Sequence, residues 1–164
     1  MKSESRAFAL AVLIGFAVAF GVGVVNVFAQ TIDPRIGTWQ LNVAKSQFSP
    51  GPPPQSNTLV IEASGKGEKV TTEGVSAQGR RTATQYTANF DGKDYPLTGS
   101  QIADTVSLRR INARITVRTD KKDGKVIQTL TRIVSEDGKT MIVRANGMNA
   151  QGQPVESVGA WEKQ

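Results

Sequence analysis

With no histidine and no cysteine among its 164 residues, the chain must do any chemistry with carboxylates, guanidinium groups, amines, hydroxyls and two tyrosines. Ser-His-Asp and Cys-His triads, imidazole or thiolate metal sites and histidine acid/base catalysis are excluded together. Among what remains, Arg110 and Arg132 stand out because each shares a strand face with aliphatic residues: Arg110 with Val106 and Leu108, Arg132 with Val126, Leu130 and Val134 beside Gln128. A guanidinium keeps its charge, so on an inward face it needs an acceptor. That acceptor is a ligand carboxylate or phosphate, an acid of the chain such as Glu62 or Asp104, or water at an open mouth. Tyr86 and Phe90 share a face with Thr84 and Ala88; turned inward, they line a pocket with one hydroxyl handle, although ordinary core filling is the plainer reading. Trp39 lies on the side of Leu41, where an indole can plug a narrowing barrel end and donate its N–H to a backbone carbonyl.

A second set of cations reads as exterior. If Val106, Leu108, Ile115 and Val117 point inward, Arg109, Arg114 and Arg118 take the outward phase of two neighbouring strands. With Lys121 and Lys122 they would make a basic stripe for an anionic surface, or simply a solvated face that guards against edge pairing. Other patterns fail on inspection. Gly138-Lys139-Thr140 resembles the end of a phosphate loop, but Ile133 stands where its first glycine belongs and no helix follows. Residues 120–124 lack the alternating acids of a calcium loop, and Glu136, Asp137, Asp91 and Asp94 are turn residues without a partner for acid/base work. The expectation is a binding protein rather than an enzyme, with no metal and no cofactor.

The start of the chain sets the compartment. Lys2 and Arg6 precede an uncharged apolar run over residues 7–25, and Val27-Phe28-Ala29 fits an A-x-A-like cleavage site. Residues 1–29 are therefore read as a signal peptide, cut after Ala29, and residues 30–164 as a periplasmic or secreted domain. The competing reading keeps residues 7–25 as an inner-membrane anchor, since about 19 apolar residues can span a bilayer core. Lipidation is excluded because no cysteine stands near the cut. About 135 residues remain after cleavage, enough for one domain with one core. The formal charge is +6 for the whole chain and +5 once Lys2, Glu4 and Arg6 are removed. Such a surface is mildly drawn to anionic lipid, polysaccharide or acidic protein, and export argues against nucleic acid.

Short alternating segments recur between Gly, Asn, Pro and Asp-Gly turns, and no window of helical length has an apolar stripe. The first strand is predicted over residues 36–42, with the Pro-rich run 49–54 left outside the ladder. Asp91-Gly92, Asp123-Gly124 and Asp137-Gly138 mark hairpins. About nine consecutive antiparallel strands follow. A meander of that length most simply hides its edges by closing into an up-and-down barrel. Cations on aliphatic faces point to a mixed interior rather than a dry core.

Gly37-Thr38-Trp39 at the head of the first strand and Trp161-Glu162-Lys163 in the last resemble the calycin-type barrels, in which a G-x-W element opens the first strand and its tryptophan closes one end. The run Ile36-Gly37-Thr38-Trp39-Gln40-Leu41-Asn42, with Lys45-Ser46 and Phe48-Ser49-Pro50-Gly51-Pro52 behind it, also resembles small exported bacterial lipocalin-like proteins of unassigned role. So do Asp91-Gly92-Lys93-Asp94-Tyr95-Pro96 and Asn149-Ala150-Gln151-Gly152-Gln153-Pro154. The resemblance implies a barrel cavity for a small apolar or amphipathic molecule. The combined expectation is an all-β, lipocalin-like barrel behind a signal helix, binding such a molecule in the cell envelope through Trp39, Tyr86, Phe90, Arg110 and Arg132. The alternative is a cavity-free interaction protein that uses Arg109, Arg114 and Arg118.

Overall fold

A computed structural model of the chain describes residues 33–148 and 152–164. The signal peptide expected over residues 1–29 and its expected cleavage point lie outside the described residues. Ten strands follow one another: β1 Gly37–Ser49, β2 Ser56–Ser64, β3 Gly67–Val75, β4 Arg81–Asn89, β5 Tyr95–Thr98, β6 Thr105–Arg110, β7 Ile115–Lys122, β8 Lys125–Val134, β9 Thr140–Met148 and β10 Pro154–Lys163. Each pairs antiparallel with its sequence neighbours, and β10 returns to β1, so the sheet closes into a barrel without free edges. This is the up-and-down architecture expected from the turn spacing, with ten strands rather than about nine. Among the described residues no helix is long and apolar enough to cross a membrane.

Local chemistry explains the joints. Between β7 and β8, Lys122 pairs with Lys125 across Asp123-Gly124. Asp123 and Gly124 both have positive φ, 50° and 74°. Two left-handed residues are what a two-residue hairpin with the twist of its strands requires. The first strand is longer than predicted, reaching Ser49 rather than Asn42, because it continues through a register irregularity between Asn42 and Gln47. There the Asn42 side chain accepts from the Lys45 N–H at 3.1 Å, and the Ser46 hydroxyl both donates to the Asn42 carbonyl at 2.7 Å and accepts from the Ala160 N–H at 2.9 Å. Side chains thus replace the ladder bonds that the bulge removes.

The packed core sits toward the end where β1 begins. Trp39, Ile61, Val70, Ala88, Val106, Leu108, Val134 and Met141 are buried there with almost no exposure. Trp39 is the plug that its position predicts: fully buried, it donates from Nε1 to the Arg35 carbonyl at 2.8 Å, and the Lys163 ammonium stands 5.1 Å from its ring centre. Lys163 also donates to the Pro34 carbonyl at 3.0 Å, which ties the last strand over the plug.

One face assignment is corrected. The inward residues of β7 are Thr116, Arg118 and Asp120, whereas Ile115 and Val117 take the other phase. The rule that apolar residues point inward fails on this strand because the barrel interior beside it is polar. Arg118 therefore lies inside, its side chain only 12% exposed, and is not part of an outer stripe. Arg109 remains exposed, and Arg114 makes a surface ion pair with Glu136 at 3.3 Å.

Candidate functional site

A chain of ionic hydrogen bonds runs through the packed end of the barrel. Glu68, fully buried on β3, accepts at Oε2 from Arg35 Nη1 at 2.6 Å and at Oε1 from Arg132 Nη1 at 2.6 Å. The Tyr86 hydroxyl donates to the same Oε1 at 2.7 Å and accepts from Arg132 Nη2 at 2.9 Å. Arg35 continues to Asp33, and Asp33 Oδ2 also accepts from Arg110 Nη2 at 2.7 Å. Phe90 lies beneath both cations, with the Arg35 and Arg110 guanidinium carbons 4.7 and 4.6 Å from its ring centre.

The acids of this ionic chain are thus Glu68 and Asp33. Glu62 and Asp104, the acceptors considered for the inward arginines, pair instead with Lys69 and Lys122. Electrostatics hold Tyr86 and Arg132 in their protonated forms. Burial is the main cause that pushes the Tyr86 hydroxyl up to about 12, so it remains a donor. Burial pulls the Arg132 pKa down, but Tyr86 and Glu68 outweigh it and keep the guanidinium above its ordinary value. Partial burial raises Asp33, with Arg110 opposing it.

Beyond this cluster the barrel is hollow. A cavity of about 290 Å³ is lined by Asn57 and Leu59 of β2, Thr72 of β3, residues 82–84 of β4, Ser100 and Ile102, Arg118 and Asp120 of β7, Gln128, Leu130 and Arg132 of β8, Val143 of β9 and Trp161 of β10. Taking about 30 Å³, the liquid share of a water, for each atom, the space suits a molecule of roughly ten non-hydrogen atoms. That size is near the lower bound for small-molecule sites. A larger groove of about 480 Å³ lies at the rim around Glu73 and Arg81. Its walls include exposed residues such as Glu73 and Arg81, and it encloses no buried ionic group.

On the cavity wall, Arg118 makes a forked pair with Asp120, using Nε to Oδ1 and Nη2 to Oδ2 at 2.8 Å. Gln128 Nε2 donates to the same Asp120 Oδ2 at 2.8 Å, and the Arg118 guanidinium lies 5.0 Å from the Tyr86 ring centre. These bonds engage two of the five N–H donors that each of Arg118 and Arg132 possesses. Counted through both clusters, four guanidinium groups (Arg35, Arg110, Arg118, Arg132) face three carboxylates (Asp33, Glu68, Asp120). Arg110, whose side chain is 39% exposed, lies outside the cavity lining, so the buried guanidinium groups of Arg35, Arg118 and Arg132 match the three carboxylates one for one.

The five residues proposed from sequence as ligand contacts are dispersed. Arg132 lines the cavity. Tyr86 lies behind it, hydrogen-bonded into the Glu68 cluster. Trp39 is the end plug, and Phe90 and Arg110 belong to the Asp33 end of the ionic chain. Sequence reasoning missed Arg35, Glu68, Asn57, Arg118, Asp120 and Trp161 as interior groups. The available signal was phase: Glu68-Val70-Thr72 alternate on one side of β3, and Thr116-Arg118-Asp120 on one side of β7.

No protein-family model matches the chain, and no curated protein sequence matches it. Among solved structures, the chain is similar to zebrafish ileal bile acid-binding protein complexed with cholic acid, with a TM-score of 0.49 and 12% identity over 80% of this chain and 99% of that one. It is also similar to the siderocalin Ex-FABP, with a TM-score of 0.38 and 12% identity over 81% of this chain and 75% of that one. Its own topology is a closed antiparallel up-and-down barrel, plugged by the tryptophan of a Gly-x-Trp strand.

Proposed function

We propose that the protein binds a small amphipathic organic acid inside the barrel, in the cell envelope or outside it. The supporting observation is the interior cavity, lined by Leu59, Ile102, Leu130 and Val143 together with Arg118 and Arg132. The apolar wall rewards burial of a short hydrocarbon body. The N–H donors of Arg118 and Arg132 that their bonds to Asp120, Glu68 and Tyr86 leave unengaged suit a single carboxylate, in a low-dielectric space where such a contact is stronger than in water. Export rests on the leader-like residues 1–29. The competing reading, a basic outer stripe, is weakened because its central member Arg118 faces the interior.

Native mass spectrometry of protein purified from its own host, after mild extraction, tests the reading. The expected result is a co-purifying organic acid at one equivalent. Protein that emerges empty and fails to bind a medium-chain fatty acid such as octanoate overturns it.

A further inference from the structure

We propose that the cavity has a second, uncharged recognition point, made by the indole N–H of Trp161 and the side-chain oxygen of Asn57, and that it selects an acid that also carries a hydroxyl group. The proposal rests on the reading of the cavity as a ligand site and specifies what the ligand must be. Both residues line the cavity. Trp161 is 8% exposed, and its Nε1 and the Asn57 Oδ1 are buried atoms without a hydrogen-bond partner. Buried polar side-chain atoms are nearly always bonded, so a donor and an acceptor left open on one cavity wall call for a common explanation.

The rest of the barrel shows that the chain can satisfy such groups when they are structural. Trp39, its other tryptophan, has its N–H bonded to the Arg35 carbonyl at 2.8 Å. Trp161 has no such acceptor. The two open atoms flank one strand: Trp161 on β10 pairs with Leu41, and Asn57 on β2 follows directly on the last β1–β2 pair, Gln40 with Thr58. With neighbouring strands about 4.8 Å apart, their backbones are on the order of 10 Å from each other across β1. The Asn57 backbone is fixed by Gln40, whose Nε2 donates to the Asn57 carbonyl at 3.0 Å.

Glycine stands beside each open atom. A Cβ at Gly159 would lie 2.9 Å from Trp161 Nε1, and one at Gly74 would lie 3.1 Å from Asn57 Oδ1. At both places the absence of a side chain keeps the polar atom clear. One group that answers a donor and an acceptor together is a hydroxyl, which offers one O–H and two lone pairs. Arg118 and Arg132, which line the same cavity from β7 and β8, supply the contact for the acid.

Isothermal titration of the full-length protein with octanoate and with its monohydroxy isomers, the hydroxyl moved carbon by carbon, tests the proposal. At least one isomer is expected to bind about tenfold more tightly than octanoate. In Trp161→Phe and in Asn57→Leu, each checked for an unchanged melting profile, that advantage, taken as the ratio of isomer to octanoate affinity within the same variant, is expected to fall below about threefold. The proposal is overturned if no isomer gains over octanoate, or if the gain survives in whichever variant folds, since a bound water would then be serving the two atoms. If octanoate and every isomer fail to bind the unaltered protein, the ligand-site reading itself falls and this proposal with it. Octanoate binding without hydroxyl discrimination removes this proposal alone.

Discussion

Arg132 and Glu68 meet at 2.6 Å inside the barrel, although 64 residues separate them in sequence. Arg132 also lines the cavity, so the same guanidinium closes the buried cluster on one side and faces the ligand space on the other. The carboxylate of Glu68 therefore sets both the stability of the packed end and the direction in which Arg132 presents its donors.

Glu68→Gln tests the structural half of that relationship. The substitution keeps the shape and leaves Arg35 and Arg132 buried without their shared counter-charge. Breaking a buried pair from one side costs about 3–5 kcal/mol. Urea unfolding is expected to show a loss of that size, with an unchanged dependence on denaturant.

Tyr86 gives the protein an alkaline limit. Its pKa is pushed to about 12 in the folded state, against 10 ordinarily. Between those values the folded protein holds a proton that the unfolded chain has released, so stability is complete below about pH 10 and falls as pH rises through 12. Two pH units correspond to roughly 2–3 kcal/mol. Tyr86→Phe is expected to flatten that part of the stability profile, measured as unfolding free energy from pH 9 to pH 12 against the unaltered protein.

The three arginines first grouped as an outer stripe are expected to behave differently. Arg118→Glu places a carboxylate against the buried Asp120 and should cost several kcal/mol or prevent folding. Arg109→Glu and Arg114→Glu alter exposed or surface-paired groups and should change stability by less than about 1 kcal/mol. Thermal melting of the three single variants makes the comparison.

The two tryptophans are also expected to diverge. Trp39→Phe orphans the buried Arg35 carbonyl, a loss of about 1–3 kcal/mol before any cavity term. Trp161→Phe removes a donor that has no partner, and should be close to neutral. Denaturant midpoints measured side by side decide it.

Much of the barrel was legible because its turns are local: Asp123-Gly124 specifies a hairpin by itself, and closure follows once so many antiparallel strands meet in order. The plug was legible too, since a tryptophan beside Leu41 at the head of the first strand needs only one carbonyl. The polar interior was harder. Ile115 and Val117 drew the apolar side of β7 inward, while the true inward side, Thr116, Arg118 and Asp120, depends on a partner 8 residues away and on the Tyr86 ring across the barrel. The two arginines that meet Glu68 are 33 and 64 residues distant from it. Such pairings are made by closure, which no local pattern encodes. Arg132 could be recognised as a charge in need of an acceptor, but not as one that the chain itself supplies.

Octanoate titration of the unaltered protein, of Val143→Phe and of the double variant Arg109→Glu/Arg114→Glu tests the interior site most directly. Val143 lies on the cavity wall, so the larger ring fills the space, whereas the exterior pair leaves it untouched. Saturable binding at one equivalent, lost on filling and kept after the surface charges are reversed, is the expected result. Binding that survives a filled cavity, or disappears with the surface arginines, contradicts an interior ligand.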